Sequence, residues 1–580
     1  MKKISALLPF FLIGLLYLVP SFVEAEDAMG QTRSFYIEES YDIDKRSQID
    51  ATVRKISPQL YFYIDESWWG KLSVQGQEKV KDAMNFLTEE FEGRIYPLLT
   101  QNFGKEWNPG IDKDTRITIL LHPMKEGAGG YFNEGNEYPK SQVPESNERE
   151  IIFLNANVID SSAAKGFLAH EFMHLITFYQ KNMLLGTTED VWLNEARSEY
   201  APTYIGYDRE YSGSNLERRV RDFSGQPFDS LTEWRNRPAD YGAVNLFTQY
   251  LVDHYGAKIL IDSLHSRKVG IASLNEALKN NGYADDFSQI FTNWTIAVLM
   301  ADCGISQKYC YLNQNLKNLK ITPLINYLPF VGESTLSVTN NVKDWSGNWH
   351  KFIGGKGTLN LEFRADKGIN FKVPYLIQDA QGNYSADFLL LNQDNLANLS
   401  ILNFGTKDIS LIILPLAENK TSDFGELERS YAFFWSVSTI EEGFNRVKES
   451  VPEKPISQMT KGEILARISE IQALILKLQA ELRALARETS VSCSQITDNL
   501  YYGLMNDQRV KCLQEFLKSQ GPDIYPEGAA TGNFLSLTRT AVTRFQEKYG
   551  EEILTPLGLE KGTGFVGYTT RAKINSFLAK

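Results

Sequence analysis

Two short segments of this 580-residue chain carry side chains whose types and spacing suit metal chemistry. Residues 170–174 read HEFMH and residues 192–199 read WLNEARSE. Because positions i and i+4 of a helix point the same way, His170 and His174 can bind one Zn²⁺ through neutral imidazoles. Glu171 would then lie beside the metal without ligating it, and would be free to move protons.

A zinc site that keeps one position for water needs a third protein ligand, and Glu195 is the best candidate. Glu195 and Glu199 share one helical face, so Glu199 can accept the N–H of a ligating imidazole, and we assign Asn194 to the same supporting role. Two alternatives stay open. His170 and His174 can be buried helix histidines without a metal, and Glu199 can be an ordinary solvated glutamate.

The predicted chemistry is hydrolysis. Zinc lowers the pKa of water toward ~7 and polarises a carbonyl, while Glu171 takes the proton of the water and passes it to the leaving amine. An oxyanion would need a further donor, and Tyr241, at the start of an amphipathic segment, is our candidate. The alternative for Tyr241 is a packing role only.

The HExxH and NExxSE segments together resemble the gluzincin pattern of thermolysin-like metallopeptidases. Residues 192–200 (WLNEARSEY) and 241–247 (YGAVNLF) are similar to hyicolysin-type secreted peptidases. The resemblance implies that His170, His174 and Glu195 ligate zinc and that Glu171 is the base. It also implies a zincin-like fold and a protein or peptide substrate.

Flanking patterns predict the elements that position these residues. Apolar spacing predicts helices over residues 74–99 and 163–180, the latter capped by Asp160, Ser161 or Ser162. Residues 116–122 and 150–154 read as strands. These two strands and the helix that carries His170 and His174 would form an upper subdomain to about residue 180. A mainly helical lower subdomain would follow, with the cleft between the two halves. The glycine-rich residues 127–132 would be either an edge for strand addition or a plain loop.

Composition divides the chain into five parts. Residues 1–25 read as a secretory signal peptide, with an uncleaved membrane anchor as the alternative. Residues 26–332 would form the metallopeptidase domain and residues 333–445 a β-sandwich in which Trp345 and Trp349 are core aromatics. Residues 446–489 combine a Pro-containing linker with a 4-3 apolar repeat typical of a coiled coil, which serves either as a spacer or in self-association.

The C-terminal residues 490–580 carry a second resemblance. Residues 510–517 (VKCLQEFL), Gly532, residues 538–546 (TRTAVTRFQ) and residues 564–570 (GFVGYTT) look like the small helical peptidoglycan-binding domain of bacterial envelope proteins. Amphipathic LQ and FQ helices would build its core. The resemblance implies retention on peptidoglycan, and the alternative is a module that has lost ligand binding.

Cysteine use and charge agree with an exported protein. The four cysteines form two close pairs, Cys303 with Cys310 and Cys493 with Cys512, which we read as disulfides. A net charge of −12 argues against nucleic acid as a partner.

The sequence therefore predicts an α+β multidomain protein, secreted and associated with a bacterial cell envelope or cell wall. Its predicted function is that of a zinc metalloendopeptidase. The alternatives are a catalytically inactive wall-binding interaction protein and a hydrolase of peptidoglycan stem peptides.

Overall fold

The computed structural model describes residues 26–329, 334–419, 423–424, 429–440, 495–502, 504, 507–526 and 530–578. The chain separates into two compact units, which divide between residues 445 and 446. The predicted signal peptide, linker, coiled-coil helix and Cys493 lie outside the described residues. No helix in the described ranges is long and apolar enough to cross a membrane.

The first unit begins with a six-stranded sheet. Its strands follow the spatial order β1-β2-β3-β4-β6-β5. The central strands β3, β4 and β6 are parallel and every one of their residues is buried, as expected of continuous apolar runs covered on both faces. The strand bounds are β1 (Thr32–Tyr36), β2 (Gln48–Ile56), β3 (Leu60–Asp65), β4 (Ile117–His122), β5 (Gly130–Tyr131) and β6 (Ile151–Asn155).

Four helices accompany this sheet, and two of them differ from expectation. The predicted helix over residues 74–99 is broken by a π-helical turn, Phe91–Ile95, because Pro97 has no N–H for the regular ladder. The helix that carries His170 and His174 begins after Ala163, whose side chain cannot accept a hydrogen bond from the helix N-terminus. The predicted N-cap at residue 160, 161 or 162 is therefore wrong. The helices are α1 (Glu66–Trp69), α2 (Val74–Glu90), α3 (Tyr96–Phe103) and α4 (Ala164–Thr177).

The following region is mainly helical, as predicted. Its helix α7 starts with a proline at its first turn, where a missing N–H costs nothing. A disulfide joins Cys303 and Cys310 after the last helix. The elements are α5 (Val191–Tyr204), α6 (Asn215–Gly225), β7 (Glu233–Trp234), α7 (Pro238–Tyr255), α8 (Lys258–Leu264), α9 (Gly270–Asn280) and α10 (Phe287–Met300).

A nine-stranded sheet completes the first unit and folds into two facing layers. One layer has the order β14-β13-β16-β10-β8 and the other β15-β11-β19-β9, joined at a single residue pair between β15 and β16. Its nine strands are β8 (Leu324–Leu328), β9 (Ser334–Lys343), β10 (His350–Gly354), β11 (Gly357–Ala365), β13 (Pro374–Asp379), β14 (Tyr384–Phe388), β15 (Leu396–Phe404), β16 (Asp408–Ile413) and β19 (Ser430–Ile440). Two small sheets accompany it, one of β12 (Phe371–Lys372) with β17 (Leu416–Ala417) and one of β18 (Asp423–Phe424) with β7.

Side chains from both layers meet in one core, where the ring centroids of Phe352 and Trp435 lie 4.7 Å apart. This region starts earlier than the predicted boundary at residue 333, because β8 pairs with β10. Trp345 and Trp349 are buried, and they belong to the core that the sheet shares with the helices.

The C-terminal unit is a small helical domain with its own apolar core. Its helices are α11 (Gln508–Ser519), α12 (Ser536–Lys548), α13 (Gly550–Ile553) and α14 (Tyr568–Leu578). Cys512 on α11 is disulfide-bonded. The predicted LQ and FQ helices are α11 and α12, and their Leu513 and Phe545 side chains are fully buried.

Candidate metal centre

Three side chains from α4 and α5 converge on one point. The Nε2 atoms of His170 and His174 lie 3.2 Å apart, and the Oε2 atom of Glu195 lies 3.4 Å and 3.7 Å from them, respectively. Among the described residues these three form the group of His, Cys, Asp or Glu side chains that could hold a metal ion. Helix periodicity aligns the two imidazoles, and the packing of α4 against α5 adds the carboxylate.

The donor atoms have the spacing of a tetrahedral zinc site. Bonds of about 2.0–2.1 Å at tetrahedral angles would separate neighbouring ligand atoms by about 3.3 Å, close to the distances between these atoms. Glu195 Oε2 is buried and accepts no hydrogen bond, which is costly for a carboxylate unless a cation satisfies it. Two imidazoles and one carboxylate suit zinc better than calcium or magnesium, which prefer oxygen ligands.

Hydrogen-bond acceptors behind the two imidazoles fix their tautomers. Glu199 Oε1 lies 3.3 Å from Nδ1 of His170. Asn194 Oδ1 and Ser198 Oγ lie 3.1 Å and 3.2 Å from Nδ1 of His174. When both Nδ1 atoms donate to these groups, both Nε2 atoms keep a lone pair that faces the same point. Two facing lone pairs repel each other unless a cation or proton lies between them.

Glu199 is held in place by a buried hydrogen-bond network. Its carboxylate accepts from Arg219 at 2.7 Å and 2.5 Å, from Asn215 at 2.9 Å and from Asn245 at 3.3 Å. Burial raises the pKa of Glu199, but the Arg219 guanidinium and His170 outweigh burial and hold it well below its usual range. Glu199 therefore stays ionised and can orient His170.

Glu171 lies next to this cluster on the buried side of the cleft. Burial raises its pKa to about 8, and the carboxylates of Glu195 and Glu199 add to this effect. Burial lowers the pKa of His170, but the facing carboxylates outweigh burial and raise it to about 10. Burial lowers the pKa of His174 to about 4. Glu171, Glu195 and Glu199 thus place three carboxyl groups beside the two imidazoles, and a divalent cation bound there would offset their mutual repulsion.

The face of α4 opposite the cluster anchors the helix. The Phe172 ring packs edge-on against Phe91 with centroids 4.9 Å apart and lies nearly parallel to Tyr96 at 5.5 Å. Beside the cluster, the Phe132 ring lies parallel to the His174 imidazole at 6.3 Å. These contacts restrain both the helix and the imidazole.

Two cavities share His170, Glu171 and Tyr241 in their linings. One has a volume of about 240 Å³ and is also lined by Phe167 and Arg218. The other, of about 450 Å³, is lined by His174, Glu195 and Phe132 among others. A chain bound at Glu171 would therefore have access to both cavities.

The glycine-rich segment forms the outermost strand of the six-stranded sheet. Gly130 and Tyr131 pair antiparallel with Leu154 and Phe153, and the other edge of β5 has no partner strand among the described residues. A Cβ on Gly130 would lie 3.2 Å from Glu171 Cγ and 2.7 Å from a backbone oxygen, so only glycine fits here.

Tyr241 lies at the rim of both cavities. Its hydroxyl donates to Asn236 Oδ1 at 2.8 Å, and its ring stacks under the Arg219 guanidinium at 4.4 Å. Asn236 also donates to the hydroxyl of Tyr41 at 3.2 Å. Tyr241 therefore packs against Arg219 and is held by Asn236, and its role as an oxyanion donor stays a prediction.

Sequence reasoning missed four contributors to this site: Ser198, Arg219, Asn215 and Asn245. Ser198 lies inside the NExxSE motif, one helical turn after Asn194, and this spacing could have indicated that both side chains face His174. Arg219 and the two asparagines come from α6 and α7, and no local pattern connects them to Glu199. Of the histidines without an assigned role, His122 is fully buried beside Asp42 and His350 lies in the sandwich core.

Comparison with known proteins identifies the C-terminal unit. The family described as "Putative peptidoglycan binding domain" matches residues 506–553, which confirms the predicted peptidoglycan-binding domain over this range and associates the protein with the cell wall. No curated protein matches the chain. The predicted gluzincin relationship of the first unit stays a prediction.

Three solved structures are similar to parts of the chain. The pre-peptidase C-terminal domain of collagenase from Bacillus anthracis has 10% identity and a TM-score of 0.14, and the match covers 20% of this chain and 96% of that one. PliG, a periplasmic lysozyme inhibitor from Aeromonas hydrophila, has 9% identity, coverages of 20% and 98%, and a TM-score of 0.13. The GH115 4-O-methyl-α-glucuronidase BtGH115A has 10% identity, coverages of 59% and 54%, and a TM-score of 0.12. Such scores show no shared fold.

Proposed function

We propose that this protein is a zinc-dependent endopeptidase retained on peptidoglycan by its C-terminal domain. The observation that carries the proposal is the convergence of His170, His174 and Glu195, with an acceptor behind each imidazole. Sites with three protein ligands and a remaining open position are typical of catalytic rather than structural zinc.

The chain's own residues divide the chemistry between them. His170, His174 and Glu195 would hold zinc, which when bound supplies Lewis acidity that polarises a carbonyl and acidifies water. Glu171 takes a proton from the attacking water and delivers it to the nitrogen of the departing amine. Glu199 keeps the His170 ring in the required orientation and tautomer, since Arg219 fixes its carboxylate.

The substrate would lie as an extended chain along β5. Strand addition uses the unpaired backbone groups of an edge strand, and it places alternate side chains in recesses on either side. β5 is an edge strand, and the missing side chain of Gly130 lets this strand itself lie directly against Glu171. These features favour an unfolded protein segment over a folded one as the substrate.

Tyr241 is the proposed donor to the oxyanion of the tetrahedral intermediate. Its side chain lines both cavities, and its hydroxyl donates to Asn236, a hydrogen bond that a substrate oxygen would replace. Tyr241→Phe should lower kcat by about 10²–10³-fold with little change in KM. An unchanged kcat would leave Tyr241 with a packing role.

The decisive experiment compares the chain from Glu26 onward with its Glu171→Gln variant. We expect zinc near one per chain in both proteins, cleavage of an unfolded protein by the first alone, and loss of cleavage on chelation. Glu126→Gln is the matched control, because Glu126 is an exposed carboxylate on the wall of the same cavity. It should cleave at the normal rate. Absence of zinc, or equal cleavage by the Glu171→Gln variant, would refute the proposal.

A second candidate follows from the match over residues 506–553. In one version the peptidase region has no activity and the protein acts by binding peptidoglycan alone. In the other version the bond that it cleaves is in a stem peptide of the wall. Incubation with purified peptidoglycan distinguishes the binding protein from the stem-peptide hydrolase. Release of new amine groups from it marks a stem-peptide hydrolase, whereas sedimentation with it and no cleavage of any substrate marks a binding protein.

A further inference from the structure

The C-terminal unit contains an internal repeat of hydrogen bonds. Gln514 on α11 donates to the Asn533 carbonyl at 2.9 Å and to Thr538 Oγ1 at 2.8 Å, and accepts from the Gly532 N–H at 2.8 Å. Gln546 on α12 makes the same three bonds, at the same offset along the chain, to Phe565, Thr570 and Gly564. The domain is thus built from two similar halves, and the second extends beyond the matched residues 506–553.

The second half is closed by a short antiparallel bridge. Leu500 and Val566 exchange both backbone hydrogen bonds, at 3.3 Å and 2.8 Å, and both side chains are fully buried. Side chains of neighbouring residues in an extended segment point to the opposite face. Tyr501 and Phe565 therefore point outward, and their rings lie nearly parallel with centroids 6.4 Å apart.

Two further exposed aromatic residues lie close to this pair in the sequence, Tyr502 beside Tyr501 and Tyr568 three positions after Phe565. Tyr501 is 51% exposed, Tyr502 56%, Phe565 43% and Tyr568 78%, and within the described part of the C-terminal unit these are the large aromatic side chains that face solvent. Exposed aromatic rings next to each other are costly unless a partner covers them. The first half offers no equivalent, since Asn533 and Ser536 stand where the second half has Phe565 and Tyr568.

We propose that the stacked pair Tyr501 and Phe565, with the exposed neighbours Tyr502 and Tyr568, forms an aromatic face that binds the glycan strand of peptidoglycan. Flat rings with polar hydroxyl tips suit sugar rings, whose C–H faces are apolar and whose edges carry hydroxyl and amide groups. Stem peptides carry carboxylates and would need an available cation. Of the cations near these residues, Arg509 is already paired with the carboxylates of Asp498 and Asp507.

Binding to purified peptidoglycan tests this proposal in the chain from Glu26 onward, with Glu171→Gln added so that no bond of the wall is cut. Tyr501→Ala and Tyr568→Ala should each weaken binding by about tenfold, because each removes a ring that the glycan would cover. Leu557→Ala is the control, since Leu557 is 56% exposed but lies away from the bridge. Circular-dichroism melting checks that each variant folds.

Competition identifies the bound component. Glycan strands freed of stem peptides by amidase digestion should displace the protein from peptidoglycan, and isolated stem peptides should not. Two results would overturn the proposal. One is binding by the tyrosine variants as tight as that of Leu557→Ala, and the other is displacement by stem peptides but not by glycan strands. Neither result depends on peptidase activity.

Discussion

Arg219→Met tests whether the buried ion pair behind the His170–His174–Glu195 cluster supports the fold. Arg219 donates to both oxygens of Glu199, and the two side chains are 8% and 1% exposed. Methionine keeps the length and apolar bulk of the side chain but removes the charge. The variant therefore leaves the buried Glu199 carboxylate without the Arg219 guanidinium, and only the His170 imidazole, 3.3 Å away, remains as a cationic neighbour in direct contact.

The expected cost follows from the remaining contacts. Removing one partner of a buried ion pair typically costs about 3–5 kcal/mol. Asn215 and Asn245 still donate to Glu199 after the substitution, so we expect the lower end, about 3 kcal/mol. Arg221→Met on the same helix is the matched control. Its pair with Glu217 is 3.5 Å long with side chains 65% and 30% exposed, which predicts at most about 1 kcal/mol.

Urea unfolding of the metal-free protein, followed by tryptophan fluorescence, measures the difference. All 9 tryptophans precede residue 446, so the signal reports the first unit and not the C-terminal one. We expect the midpoint of Arg219→Met to fall well below that of Arg221→Met, at similar slopes. If the free energies of unfolding of the two variants agree within about 1 kcal/mol, the reasoning about the buried pair is wrong.

Three further predictions concern single residues. Glu195→Gln should release zinc during dialysis against a weak chelator, because two histidines alone bind zinc poorly. If the variant retains as much zinc as the unaltered protein, Glu195 is excluded as a ligand. Burial opposes the charge of Asp42, but hydrogen bonds from Arg46 outweigh burial and hold its pKa at about 2, below the usual 3.8. Its stabilisation is therefore present above about pH 4 and is lost toward pH 2, so the unfolding midpoints of Asp42→Asn and the unaltered protein should converge over that interval; parallel curves would contradict this. Arg218 lines the 240 Å³ cavity and donates to Asn215, but forms no ion pair among the described residues. Arg218→Glu should therefore shift the preference of cleavage in a peptide library from acidic toward basic residues beside the cut bond, whereas the control Arg221→Glu should leave it unchanged. An unshifted preference in Arg218→Glu would refute this specificity.

Several local features of this protein could be read from spacing alone. The regular turn of a helix dictates that His170 and His174 share one face, and the same holds for Glu195 and Glu199. Continuous apolar runs predicted the buried strands β4 and β6 for the same reason, since both of their faces must be covered. Periodicity also predicted the two glutamine-bearing helices of the C-terminal domain.

Local rules failed where a backbone detail or a distant residue was involved. Pro97 interrupts the predicted helix over residues 74–99 with a π-helical turn, and Ala163 replaces the expected polar cap of α4. The first is a local effect of proline that apolar spacing does not reveal. In the second, tertiary packing outweighs local preference, because Phe172 and its neighbours bury enough apolar surface to hold α4 without a cap.

The residue types and spacing of segments 170–174 and 192–199 by themselves determined a metal-binding pattern, because each segment is short and its geometry is set by one helix. Only the tertiary structure brought Glu195 to within 3.4 Å of His170 and placed Arg219 behind Glu199. Those contacts arise from the packing of α4, α5, α6 and α7 against one another. Such packing depends on which apolar faces bury together, and no spacing within a single segment encodes it.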